Sequence, residues 1–298
     1  MIYFNRTYDC KITNLKTGYI KIVTGLRMSF QYQKDTDSES GKGMVTIYNL
    51  SDSSRKSLTV KGNKDSTPNL MLELSVGYGN TKRMIIRGKA MGYHMWIPPE
   101  AISRFQISDG LFEIAQATID KSYKKGESYD QVISDLLDSI GLDRGRIDKI
   151  NKSLPENLVV NKDPKKKLDE LGDKLGFRFI VELSRANIIL KPKDETSQKD
   201  IKATVLLNTS SGLIGKPYIK GDFIMAKCLF NPQIQLNSYV TVDSESLGSP
   251  TTNRVIAVKA RGDTEGSKWE MDLTLSLQDT LTLMADIYDE LDTGATIA

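Results

Sequence analysis

Histidine occurs once in the chain, at position 94, inside the run Met91-Gly92-Tyr93-His94-Met95-Trp96. One histidine is enough to act as general base for a serine nucleophile, yet no Gly-x-Ser-x-Gly elbow accompanies it. The pattern therefore favours a strand-end histidine beside aromatic rings over a catalytic one. Cys10 and Cys228 are equally isolated: neither has a second thiol or a histidine at metal-ligand spacing. Both read as reduced thiols that behave as small buried hydrophobes, without a disulfide framework or a zinc site. A glycosidase pair needs its two carboxylates to be neighbours only in space, and no pair stands out. Asp135 and Asp138, one turn apart on an expected helix and opposite its apolar stripe, read as a solvated face.

The basic run Lys162-Asp163-Pro164-Lys165-Lys166-Lys167 has the length of a phosphate or nucleic-acid patch. It is followed at once by Asp169 and Glu170 and has no interleaved aromatics, so it reads as the first turn of a solvated helix. Gly41-Lys42-Gly43 and Gly77-Tyr78-Gly79 fit neither phosphate-cradling glycine pattern, and no cofactor site is indicated. Charged residues make up 27% of the chain and the formal net charge is +3. That balance gives no field strong enough to capture nucleic acid or an anionic membrane, so partner choice must come from shape. No run approaches the roughly 20 apolar residues of a membrane-spanning helix. The start, "MIYFNRTYDC", lacks a basic-then-apolar secretory layout, so synthesis in the cytosol is expected.

The remaining informative residues lie in Ser210-Ser211-Gly212-Leu213-Ile214-Gly215-Lys216-Pro217 and in Leu229-Phe230-Asn231-Pro232-Gln233-Ile234. The first reads as a loop that holds two apolar residues between glycines, the second as a turn between strands. Apolar residues at a loop tip cost solubility unless a partner covers them, or else they plug their own barrel. Leu213, Ile214, Gly215, Pro217, Asn231 and Pro232 are accordingly the candidate subunit or tube interface.

The elements that must position these residues follow from periodicity. The first 115 or so residues alternate with period two, most clearly in Leu70–Tyr78, with further strands at Tyr19–Tyr32, Met44–Tyr48 and Met84–Arg87. A short helix is expected at Asp52–Leu58, capped by Ser51 or Asp52. Near residue 118 the period changes to about 3.6. Tyr129, Val132, Ile133, Leu136, Leu137 and Ile140 form one helical stripe, with Ser128 and Gln131 as a capping box and Gly141 as the stop. A second helix spans Pro164–Leu175, between Asp163 as N-cap and Gly176. Phe177–Leu183 and Ala186–Lys191 read as a hairpin around Ser184-Arg185. After a polar linker at Lys191–Lys199, strands resume at Lys202–Leu207, Phe223–Phe230, Tyr239–Asp243, Arg254–Ala260 and Lys268–Leu277. Residues 281–298 carry Asp286, Asp289, Glu290 and Asp292 and no basic residue, the pattern of a mobile or a docking tail.

"VTIYNLSDSSRKSL" with "LSVGYGN", the helix "YKKGESYDQVISDLLDSIGL", and "SGLIGKP" with "LFNPQIQLNSYVTVDS", in that order, resemble the baseplate hub proteins of contractile-tailed bacteriophages. The resemblance implies a mainly β fold with an α+β insertion. Its parts would be an antiparallel β-barrel tube-like domain at 1–117, a small α+β domain at 118–195, a second tube-like barrel at 196–280 and an acidic tail at 281–298. It also implies a homotrimer whose six barrels form a pseudo-six-fold ring in the virion baseplate. A tail tube ring would lie above, a three-fold spike below and other baseplate proteins around, with no membrane and no sequence-specific nucleic acid as partner. No enzymatic role is implied. Two alternatives remain at this stage: a tail-associated cell-wall hydrolase, and an oligonucleotide-binding β-barrel, which would need a basic, aromatic-lined face.

Overall fold

The computed structural model describes residues 5–36, 41–59, 68–190 and 205–277. The expected linker at 191–199 and acidic tail at 281–298 lie outside these residues. The chain opens with β1 (Arg6–Asn14), β2 (Ile20–Val23), β3 (Met28–Asp35) and β4 (Lys42–Tyr48). Gly25, at φ +73°, breaks the single strand expected over 19–32 into β2 and β3. Helix α1 (Asp52–Leu58) follows, with Ser51 Oγ accepting from Ser54 N. Then come β5 (Leu70–Tyr78), β6 (Thr81–Ile97) and β7 (Glu100–Ser108). The last two make a hairpin longer than its neighbours, since β5 pairs with β6 only as far as Leu70 opposite Ala90.

The α+β unit begins at α2 (Leu111–Gln116), which the sequence reading missed, and holds β8 (Ile119–Tyr123), α3 (Tyr129–Ile140), β9 (Asp143–Ile147), β10 (Leu158–Lys162), α4 (Pro164–Leu175), β11 (Phe177–Glu182) and β12 (Arg185–Leu190). Both long helices have the expected ends: Asp163 accepts from Lys166 N at 2.9 Å, and Gly141 and Gly176 adopt left-handed conformations. The Ser128 cap accepts from Asp130 N, whereas Gln131 donates to Asp135 and does not close a capping box. Glu182 pairs with Arg185, so the β11–β12 turn is Leu183-Ser184, one residue earlier than expected. The unit has its own core around Leu136, Leu168, Phe177 and Ile188.

The strands that follow are β13 (Val205–Leu207), β14 (Tyr218–Lys220), β15 (Phe223–Leu229), β16 (Tyr239–Val242), β17 (Thr251–Asp263) and β18 (Trp269–Ser276). They join the first β region in one sheet of order β14-β15-β18-β17-β3-β4-β7-β6-β5-β1-β2, with β16 also on β17 and β13 on β16. The joint is antiparallel pairing of Ser29–Asp35 with Ala257–Asp263. Mainly β with an α+β insertion is what the structure shows. The described strands join in one sheet over one shared core, and no closed barrel occurs among them. At the joint Phe30, Phe230 and Trp269 pack edge to face with centroids 5.4–5.8 Å apart, each burial contributing about 1.5–3 kcal/mol. A Cβ at Gly262 would overlap the rings of Phe30 and Trp269, which explains a glycine in mid-strand.

The α+β unit is seated on this sheet by a buried charge pair. Lys34 of β3 is 4% exposed, Asp109 at the end of β7 is 1% exposed, and their charged groups are 3.6 Å apart. Asp109 also accepts from Leu183 N at 2.9 Å and from Ser184 N at 2.5 Å, while Ser184 Oγ donates to Arg87 O. Burial pushes the Lys34 ammonium down and the Asp109 carboxyl up, so desolvation outweighs their mutual attraction. Replacing Lys34 by Met leaves a buried carboxylate without its counter-ion and should cost about 3–5 kcal/mol. Adding Asp109→Asn should recover part of that loss, as denaturant titration of the single and double variants will show.

Candidate assembly interface

The residues with chemical potential are placed for structure. His94 Nδ1 lies 2.8 Å from Ser103 Oγ, its cross-strand partner between β6 and β7. Ser103 has no exposed surface, and the His94 ring stands edge-on to Phe105. Burial first, then Arg55, lowers the imidazole's proton affinity. A serine sealed in this way offers no face to a substrate, so the pair fastens the hairpin. Cys10 and Cys228 are fully buried, and burial pushes the Cys228 thiol up to about 12. Among the described residues no cluster of three metal-ligating side chains occurs.

Asp135 departs from the solvated-face reading. It accepts from Lys121 Nζ at 2.6 Å, Tyr123 OH at 3.0 Å and Gln131 Nε2 at 3.0 Å, so it ties α3 to β8. Burial opposes its ionisation, and these three donors outweigh that, holding the carboxyl below its usual range. Asp138 is exposed and pairs with Arg144. Along α4, Lys165 pairs with Asp169 and Lys167 with Glu170, as a solvated helix face does.

The six candidate interface residues are not one surface. Leu213 is 8% exposed, belongs to the shared core and bridges to Cys228. The loop is strapped to β15 by Ile214 N on Lys227 O at 2.7 Å and Leu229 N on Gly212 O at 2.8 Å. Ile214 is half-buried, Gly215 is exposed, and Pro217 is buried with its carbonyl accepting from Ser246 Oγ. Asn231 and Pro232 are buried, with Asn231 Oδ1 accepting from Gln233 N. Of the two readings of this pair, the core plug describes Leu213, and Ile214 is partly covered.

Exposed apolar side chains lie immediately beyond, on residues the sequence reading passed over, and also at Trp96 and Ile97 of the β6–β7 hairpin. Strand β14, at one edge of the sheet, exposes Tyr218 and Ile219, the latter by 58%, and Phe223 at the start of β15 is exposed beside them. At the other edge β2 exposes Ile20 and, by 62%, Ile22. Among the described residues no further strand pairs beyond either edge, the arrangement to which a strand can be added. The only sequence signal for either edge was a short apolar stretch beside a glycine turn, which does not distinguish an edge from a centre.

No protein-family model and no curated protein matches the chain in sequence. Solved structures do match in shape. The 43 kDa tail protein of prophage MuSo2 from Shewanella oneidensis superposes with a TM-score of 0.63 at 9% identity, covering 92% of this chain and 99% of that one. A tail protein from Neisseria meningitidis MC58 gives 0.65 at 8% identity, over 94% and 98%. The fold is that of phage tail proteins. The Escherichia coli c3393 protein, a type VI secretion component described as similar to T4 tail proteins gp27 and gp5, gives 0.55 at 11% identity, over 84% and 73%.

Two substitutions separate core from surface here. Leu213→Ser should lower stability by about 2–4 kcal/mol, as a truncated core aliphatic does, whereas Ile219→Ser should change it by less than about 0.5 kcal/mol. His94→Ala should cost about 1–3 kcal/mol by leaving Ser103 without its partner. Thermal midpoints of the three variants check the ranking.

Proposed function

We propose that this chain is a structural subunit of a phage tail baseplate hub, a virion component three copies of which close a pseudo-six-fold ring between a tail tube and a central spike. The observation that carries the reading is the open sheet with an apolar edge strand at each end, on a fold shared with tail proteins nearly end to end. Two different edges joined head to tail make a heterologous contact, and such contacts close into rings when the rotation permits. The two β regions then act as the paired tube-like halves, residues 1–117 and 196–280, with the 118–195 unit on the outside. Leu213 and Ile214 pair with Lys227–Leu229 of β15, further along the strand that β14 joins. The likeness to a type VI secretion component favours, as a second reading, the equivalent hub of a contractile injection machine.

Adding a charge to either edge should block the ring and spare the subunit. Ile22→Glu and Ile219→Glu should each weaken closure by more than about tenfold, since burying one large aliphatic contributes about 1.5–3 kcal/mol and tenfold is 1.4 kcal/mol. Sedimentation of the unaltered chain with its tube or spike partner should give a complex with three copies. Complexes holding one, two or six copies and never three overturn the trimer.

A further inference from the structure

On the face of the sheet turned away from the core, cations near either end sit beside acids. Lys11 pairs with Glu73, Lys89 with Glu113, and Lys227 and Arg261 with Glu270. The middle of that face differs. Gln31 and Gln33 of β3, Lys42 of β4, Gln106 of β7 and Lys259 of β17 are all exposed, and among the described residues none of these five side chains takes a hydrogen bond or an ion pair. Lys42, Gln33 and Lys259 stand in one row across three adjacent strands, and Gln106, Met44, Gln31 and Arg261 in the next row. Together they line an open groove of about 540 Å³.

Arg261 shares its charge with Glu270, but Lys42 and Lys259 have no counter-ion, so the groove attracts an anion. Which anion follows from spacing and from the amides. Lys42 and Lys259 lie two strands apart, about 10 Å at ordinary strand spacing. Carboxylates on alternate residues of an extended peptide recur on one side at about 6.6 Å, within the reach of two flexible lysines. Phosphates along a nucleic-acid strand come about every 3.4 Å, and most would face no cation here. Glutamine amides both donate and accept, as a peptide backbone does, whereas phosphodiester oxygens only accept. No aromatic ring occupies the outward positions between the two lysines to stack a base, and Met44 offers an adaptable apolar contact.

We propose that this groove binds an extended acidic segment of a partner polypeptide, with Lys42 and Lys259 pairing with its carboxylates and Gln31, Gln33 and Gln106 bonding to its backbone. The assignment stands whether or not the chain forms a ring.

The test is fluorescence anisotropy of a labelled decaglutamate peptide with the full chain. Lys42→Glu with Lys259→Glu should weaken binding at least about tenfold, as loss of charge pairs across an interface does. Lys149→Glu with Lys152→Glu, at exposed positions of the α+β unit, alters the net charge equally and should weaken binding less than about twofold, because salt screens distant charges. Gln31→Ala with Gln106→Ala leaves the charge unaltered and should weaken binding about threefold to tenfold, with the salt dependence unchanged. Absence of peptide binding overturns the proposal, as does an equal loss from the two pairs of reversals or unaltered binding when the glutamines are removed. An oligodeoxythymidylate of equal charge that binds as tightly as the peptide overturns it in favour of a nucleic-acid surface.

Discussion

Pairing of β3 with β17 is the constraint on which the rest of the architecture depends. It brings residues 29–35 against 257–263, more than two hundred positions apart in the chain, and joins the two β regions in one sheet. The aromatic cluster of Phe30, Phe230 and Trp269 sits under this joint, and Gly262 lets the rings approach the backbone. Closing so long a loop costs entropy before any contact is gained, though the cost grows only logarithmically with length. The reward is a shared apolar core drawn from both regions. Without that joint β3 and β17 would be two more bare edges.

The outer edges show the same physics with the opposite outcome. A sheet closed on itself has no edge, whereas this one ends in β14 and β2, each with large apolar side chains in solvent. Such ends are a hazard to a lone subunit and a resource to an assembly. The chemistry-bearing residues serve the scaffold: His94 fastens a hairpin, Asp135 joins a helix to a strand, and the cysteines fill core. What distinguishes the molecule is shape at its boundary.

Features encoded within a dozen residues were legible in the sequence. Helices α3 and α4 were read nearly to the residue because Ser128, Gly141, Asp163, Pro164 and Gly176 each act on a neighbouring turn. The order β, α+β, β was legible from the change of period. Strand partners were not, since alternation fixes which face a residue occupies and leaves open which strand lies beside it. For the same reason "SGLIGKP" left open whether its apolar pair faced a partner or its own core, and the bridge between Leu213 and Cys228 turns Leu213 inward. The edge residues Tyr218 and Ile219 drew no attention because three residues are too few to show a period. Asp135 was misread because its donors Lys121 and Tyr123 come from another strand.

The turn at Leu183 and Ser184 is where the inserted unit meets the sheet. Both residues adopt left-handed backbone conformations, at φ 53° and 55°, that cost a non-glycine residue roughly 1–2 kcal/mol each. Asp109 repays this by accepting both amide hydrogens. Positive φ at both central residues is the geometry that a two-residue hairpin turn takes, and Asp109, from another part of the chain, fastens that turn to the sheet.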